Sequence, residues 1–176
     1  MLNKTITIFL VALFSCAAVA QDRIIKKADK ELSKFYKTTN FVKNEIVISE
    51  SYNLKTPTNF KEGSFFRILS NEQFLGYGYL GSAMGKAAKF DYLVLFDDQF
   101  IITKTKVLIY REEYGGEIGS KRWLKQFEGK ASSSKELMYN EDIIPISGAT
   151  VSVQAMTKAM NDLLKSISIL QDLKEI

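Results

Sequence analysis

The sequence predicts an α+β fold, an antiparallel sheet meander flanked by N- and C-terminal helices. Three patterns lead there. From Val153 the apolar side chains fall at Val153, Met156, Met160, Leu163, Ile167 and Leu170, spaced alternately three and four, the one-face repeat of an α-helix. Residues 65–110 divide into short runs rich in aromatic and β-branched residues, separated by polar breaks of hairpin length. Residues 22–37 set Ile25, Ala28, Leu32, Phe35 and Tyr36 near one face of a helix, with lysines opposite.

The chain begins with a targeting segment. Lys4 supplies a positive start, Ile6–Phe14 an apolar core, and Ala18-Val19-Ala20 a small-x-small cleavage site before Gln21. That apolar run is shorter than a membrane span. Leu13-Phe14-Ser15-Cys16 is a poor copy of a lipoprotein signal, so soluble export to a periplasmic or other extracytoplasmic space is expected ahead of a lipid anchor at Cys16. Cleavage after Ala20 removes the only cysteine, and no disulfide is expected in the remainder. Residues 1–20 are thus read as a signal peptide and residues 21–176 as one domain, whose length suffices for a substantial core.

After the first helix, Asn44–Glu50 alternates as a strand does, and Thr56-Pro57-Thr58-Asn59 reads as a loop. The sheet is expected from Phe65–Leu69, Phe74–Leu80, Phe90–Phe96 and Phe100–Tyr110, with breaks at Asn71-Glu72-Gln73 and Asp97-Asp98-Gln99. Gly76, Gly78, Gly81 and Gly85 are too many for a plain strand and point to a bulge, or to a face that something flat approaches closely. Tyr114-Gly115-Gly116 breaks the chain sharply. Ile118–Phe127 reads as a short helix or turn bearing Trp123 and Phe127, and Ala131–Lys135 as a polar loop. Leu170–Ile176 extends the last helix or frays.

Composition narrows the chemistry. The chain has no histidine, and with Cys16 removed no thiol. Ser–His and Cys–His nucleophilic catalysis, and histidine- or thiolate-bound zinc, haem and iron–sulfur sites, are excluded. The net charge of +4 is dispersed among interleaved acids and bases, the pattern of a solvated surface rather than a nucleic-acid stripe. Glu112, Glu113 and Glu117 lie close in sequence, but on a polar turn they are expected to be solvated. A chain so poor in reactive groups does redox work only with a borrowed cofactor.

Ser147-Gly148-Ala149-Thr150 joins a loop to the C-terminal helix, with Pro145 discouraging helix upstream. Two readings compete here. Ser147 or Thr150 is an ordinary helix cap, or the free N–H groups at the helix start, a glycine and two hydroxyls receive a phosphate.

Ser147-Gly148-Ala149-Thr150 with the following Val151-Ser152-Val153-Gln154-Ala155-Met156-Thr157-Lys158-Ala159 resembles the flavinylation motif of the FMN-binding domain family. That family includes flavin-carrying subunits of the Rnf and sodium-pumping NADH:quinone reductase complexes and small exported FMN-binding proteins. Tyr110–Ile118, with Trp123-Leu124-Lys125-Gln126-Phe127 and Gly129-Lys130, resembles the loop preceding the motif in the small exported members. Where the family often has an acidic residue three before the serine, this chain has Ile144, with Asp142 two residues further back.

The resemblance implies FMN joined through its phosphate to the Thr150 hydroxyl by a separate flavin transferase, with Ser147, Gly148, Ala149 and Ser152 around the attachment. It further implies that Glu113, Tyr114, Gly115, Gly116, Glu117 and Ile118, together with Gly81, Gly85 and Lys86, approach the flavin ring, with Trp123 nearby or simply in the core. The expected function is an electron-carrying flavoprotein served by a membrane or envelope redox partner, without nucleic acid. A binding or structural envelope domain, in which S-G-A-T is only a cap, and a flavin-dependent reductase of a small exported substrate are the alternatives.

Overall fold

The computed structural model describes residues 21–176; the stretch expected from the sequence to be a signal peptide, with its Ala18-Val19-Ala20 site and Cys16, lies outside the described residues. Two compact units divide between Thr39 and Asn40. In the first, helix α1 spans 21–36. Its face is the expected one: Ala28 and Leu32 are buried, and Phe35 and Tyr36 meet edge to face with centroids 4.9 Å apart.

The second unit is built on a five-stranded antiparallel sheet of simple meander order: β1 (Val42–Glu45), β2 (Phe65–Ser70), β3 (Gln73–Met84), β4 (Lys89–Phe96) and β5 (Ile102–Ile109). The β2–β3 turn is Asn71-Glu72, both with positive φ (48° and 66°). Two left-handed residues give the twist that a tight hairpin needs. The predicted strand over Asn44–Glu50 is shorter and earlier. Ile46 still donates its N–H to the Phe65 carbonyl (2.8 Å), but Glu50–Asn53 then forms a helical turn, α2. Asn53 imposes it, its side-chain amide donating to the Phe60 and Ile48 carbonyls while its Oδ1 accepts from Phe60 N–H. The predicted last strand loses Phe100 and Ile101 to a turn in which the Asp97 carboxylate accepts from the N–H groups of Gln99 and Ile101.

The glycine excess in β3 goes with the bulge that the sequence suggested and with close approach of the chain's own aromatic rings. The β2–β3 register shifts between Ile68 and Leu69, opposite Gly76 and Phe74. The flat objects are the chain's own rings: a Cβ at Gly78 would lie 2.4 Å from the Phe66 ring, and one at Gly81 2.3 Å from the Tyr92 ring. Gly81 pairs with Tyr92 across the sheet, so its missing side chain makes room for the neighbouring strand.

Helix α4 (Thr150–Asp172) carries the predicted stripe. Val153, Met156, Met160, Leu163, Ile167 and Leu170 are all fully buried, in one core with Phe65, Tyr79, Phe90, Tyr92 and Val94 of the sheet. Between β5 and α4 the chain forms a 3₁₀ turn at Gly116–Gly119, the single-turn helix α3 (Lys121–Leu124) and a second 3₁₀ turn at Lys125–Phe127. These add Ile118, Trp123, Leu124 and Phe127 to the same core.

Among the described residues, one buried side-chain polar atom is unsatisfied. Thr105, opposite Val94 on β5, is 4% exposed and its hydroxyl has no hydrogen-bond partner. An orphaned buried hydroxyl costs about 1–3 kcal/mol in desolvation. Thr105→Val keeps the branched shape and the strand preference while removing the cost. It should raise unfolding stability by about 1 kcal/mol, read as a higher urea midpoint at unchanged slope. A lower midpoint would mean that the hydroxyl is satisfied in solution.

Candidate functional site at the start of the C-terminal helix

The entry to α4 is shaped by Gly148. Its φ of +76° is left-handed, a conformation that glycine adopts without steric cost, and a Cβ there would meet nothing within 4 Å. The Ala149 N–H returns to the Ile146 carbonyl (3.1 Å), and the first helical bond runs from Val153 N–H to the Ala149 carbonyl (2.9 Å). The cap position therefore falls on Ala149, which has no side chain able to cap. Of the two readings of this stretch, the capping hydroxyl is the one the structure does not bear out: neither Ser147 nor Thr150 caps the helix. Thr150 is the first helical residue and is exposed, as are Ser147 and Gly148. Among the described residues, the N–H groups of Thr150, Val151 and Ser152 have no partner, as expected for a first turn with no capping side chain.

The segment leading in is pinned from three directions. Asn161 of α4 clasps Leu137, accepting from its N–H and donating to its carbonyl at 2.9 Å each. Trp123 donates its indole N–H to the Ile144 carbonyl (2.8 Å), and Gln126 Oε1 accepts from Ile144 N–H (2.8 Å). Trp123 thus has a definite structural task. It is 6% exposed, packs edge to face on Phe127, and fixes the backbone six residues before Thr150. The Ile144 side chain is exposed, while Asp142 is engaged with Lys135 (2.7 Å) and Met138 N–H (3.0 Å). The Lys135 ammonium first, and then that N–H, hold the Asp142 carboxyl below its ordinary range.

Three segments meet here, the helix start and two turns. A Cβ at Gly115 would lie 2.4 Å from Ala149 Cβ, so the Tyr114–Gly116 turn sits directly on the cap residue. Gly115 also has φ +78°. The β3–β4 turn is as close on the other side: a Cβ at Gly85 would lie 2.3 Å from Glu112 Oε1 and 2.8 Å from Ser152 Oγ. Tyr110, just beyond β5, ties two of these segments together. Its hydroxyl donates to the Tyr114 carbonyl (3.0 Å) and lies 3.2 Å from Ser152 Oγ.

Of the residues singled out in the sequence, Gly85, Tyr114, Gly115, Ala149 and Ser152 are thus joined by direct contacts, with Lys86 in the same turn as Gly85. Glu113, Gly116 and Glu117 are exposed on the turn, and a Cβ at Gly116 would meet nothing within 4 Å. Ile118 is fully buried in the core.

Tyr110 and Glu112 belong to the site's framework and were not singled out for it. Glu112 stays partly exposed, but its carboxylate is engaged, accepting from the N–H groups of Ala87 (2.8 Å) and Ala88 (3.2 Å). Glu113 and Glu117 are exposed as expected. The bond from Ala87, with those from Ala88 and Lys86, holds the Glu112 carboxyl below its ordinary value of 4.5. Arg111 turns away from the helix start to Asp91 and the Lys89 carbonyl.

The lowered value fixes a sign. Glu112 stabilises the fold fully above pH 4.5, and the contribution disappears as pH falls through its lower folded value. Glu112→Gln should remove that part of the acid dependence. The mutant's stability should change less with pH than the wild type's across the acid side, read from urea midpoints at a series of pH values. Parallel profiles would show that the charge does not hold the β3–β4 turn.

Residues 85–165 match the family model described as FMN-binding domain. The match begins at Gly85 and takes in the Tyr110–Ile118 loop, Trp123 and Thr150, which is the segment that the contacts above draw together. It supports FMN as the cofactor of this part of the chain. No curated protein matches the chain.

Proposed function

We propose that this chain, with an FMN-binding domain matched over residues 85–165, is an exported flavoprotein that carries FMN on Thr150 and passes electrons in the cell envelope. The observation that carries the reading is the state of Thr150: an exposed hydroxyl on the first residue of a long helix, with no capping duty and with open N–H groups beside it. A residue kept as a helix cap would be found capping.

The surroundings suit a phosphoester. The helix end favours the remaining negative charge by about 0.3–1 kcal/mol where exposed. That is far too little to retain a cofactor for long, so retention outside the cytoplasm is better served by a covalent bond. Formation of the ester creates a phosphorus–oxygen bond at Thr150 Oγ1. The hydroxyl loses its proton, and the leaving group departs from the phosphorus of an activated flavin nucleotide bound by a separate transferase. The net addition is one FMN less one water.

Once attached, FMN supplies one- and two-electron chemistry. The chain's own part is to hold and orient it. Open space at Gly148 and Gly116 leaves room for an approaching ligand, while the Gly115–Ala149 and Gly85–Ser152 contacts keep the two flanking turns against the helix start. No nicotinamide-binding fingerprint occurs in the sequence, so electrons are expected from a partner protein in the membrane or envelope. The signal segment delivers the chain to that compartment.

Co-expression with a flavin transferase tests the reading. Intact-mass spectrometry should show the added mass of FMN less water, on a peptide containing Thr150, and the protein should be yellow. No added mass in the presence of an active transferase would refute covalent carriage.

A further inference from the structure

We infer that Tyr110 is a positioning residue of the Thr150 site, holding the Tyr114–Gly115 peptide and the start of α4 in one arrangement through a single phenol oxygen; the inference rests on the FMN reading above. Tyr110 directly follows β5, a strand anchored in the sheet. Its ring packs against Phe90 of β4, with centroids 5.9 Å apart, so the sheet fixes where its hydroxyl points. From there the hydroxyl reaches two segments remote in sequence: the Tyr114 carbonyl at 3.0 Å and Ser152 Oγ at 3.2 Å.

Ser152 is 1% exposed, in the first turn of α4 and two residues past Thr150. Its Oγ has no other partner among the described residues. Tyr110 is therefore what satisfies that buried hydroxyl, and losing it leaves a buried polar atom stranded. Among the described residues, the phenol is also the one side chain seen bonding the turn itself; the Tyr114 side chain is exposed, and Gly115 and Gly116 have none.

A ring edge packed on the sheet thus sets the height of the 114–116 turn over the helix start. That turn rests on Ala149, the residue before Thr150, and so borders the attachment point. Tyr110 need not touch the flavin to change its surroundings; it does so by holding the backbone. Nothing in this role bears on attachment, for which the Thr150 hydroxyl suffices.

The test compares wild type, Tyr110→Phe and Ser152→Ala, each made with a flavin transferase and as the flavin-free protein. Tyr110→Phe removes only the hydroxyl and keeps the packing on Phe90. In the flavin-free protein, amide exchange over residues 114–118 should quicken about five-fold, the factor that corresponds to one ordinary hydrogen bond, with exchange in β4 unchanged. In the loaded protein the FMN mass should remain while the flavin reduction potential and visible absorbance shift and iodide quenches its fluorescence more strongly. Ser152→Ala should move these readings in the same direction and by less, because the Tyr114 bond survives. If Tyr110→Phe loads FMN with wild-type exchange, potential and spectrum, the positioning role is wrong although the FMN reading stands. If exchange quickens but the potential and spectrum do not move, the tie is merely structural and the inference fails. If the wild type itself takes up no FMN, the FMN reading fails and the inference with it.

Discussion

Thr150→Ala should give a folded, secreted and colourless protein with no added flavin mass even beside an active transferase. The loss is expected to be complete because the Thr150 hydroxyl is the sole bonding atom proposed for FMN. The expected cost to the fold is small, since Thr150 makes no capping bond and its side chain is exposed at the helix start. Alanine is also the better helix former. Stability should stay within about 0.5 kcal/mol of wild type, whereas loss of a working cap would cost about 0.5–2 kcal/mol. Thr150→Ser keeps a hydroxyl in nearly the same place and should retain part of the flavin. A substantial drop in the urea midpoint of Thr150→Ala would return the residue to the status of a cap. Flavin retained on the alanine variant would move the attachment elsewhere.

That contrast shows where the sequence was legible. Period and spacing are one-dimensional signals, and they placed the α4 stripe residue by residue and the sheet runs to within a few positions. The S-G-A-T stretch marked the helix start, but which residue caps it depends on the backbone sign at Gly148, and that is set by the turn as a whole. The glycines of β3 pointed to a bulge or to a close approach by something flat. Only strand register reveals that the rings are Phe66 and Tyr92.

Tyr110 and Glu112 were harder still. Each acts on residues far along the chain, Ser152 in one case and Ala87 and Ala88 in the other. Contacts of that span leave no periodic trace. The available hint was local: a tyrosine and a glutamate just past the end of a strand, a few residues before two glycines, in a loop that resembles the one preceding the motif in small exported FMN-binding proteins.

Gly115→Val should be the most damaging change to the site's framework. Two separate costs combine. At φ +78° any side chain is strained, by about 1–2 kcal/mol, and a β-branched one at least as much. The new Cβ would also lie 2.4 Å from Ala149 Cβ and 3.1 Å from its Cα, so the turn must lift away from a cap residue that is only 4% exposed. Together these predict a loss of about 2–4 kcal/mol, measured by urea unfolding. Lifting the turn would also pull the Tyr114 carbonyl from the Tyr110 hydroxyl, so exchange over residues 114–118 should rise as well.

The two costs separate in a double-mutant cycle. Gly115→Ala combined with Ala149→Gly removes the closest collision, Cβ against Cβ, but not the strain, so the pair should cost less than the sum of its singles by at least about 0.5 kcal/mol. Gly116→Val is the matched control. It lacks a positive φ, and its Cβ would meet nothing within 4 Å, so flavin-free stability should hold within about 0.5 kcal/mol. In the loaded protein the same valine projects into the space open to the cofactor, and the flavin absorbance should shift. Strict additivity in the cycle would show that the turn does not rest on Ala149. A loaded Gly116→Val protein with an unaltered spectrum would place the flavin ring away from this turn, leaving attachment at Thr150 as a separate question.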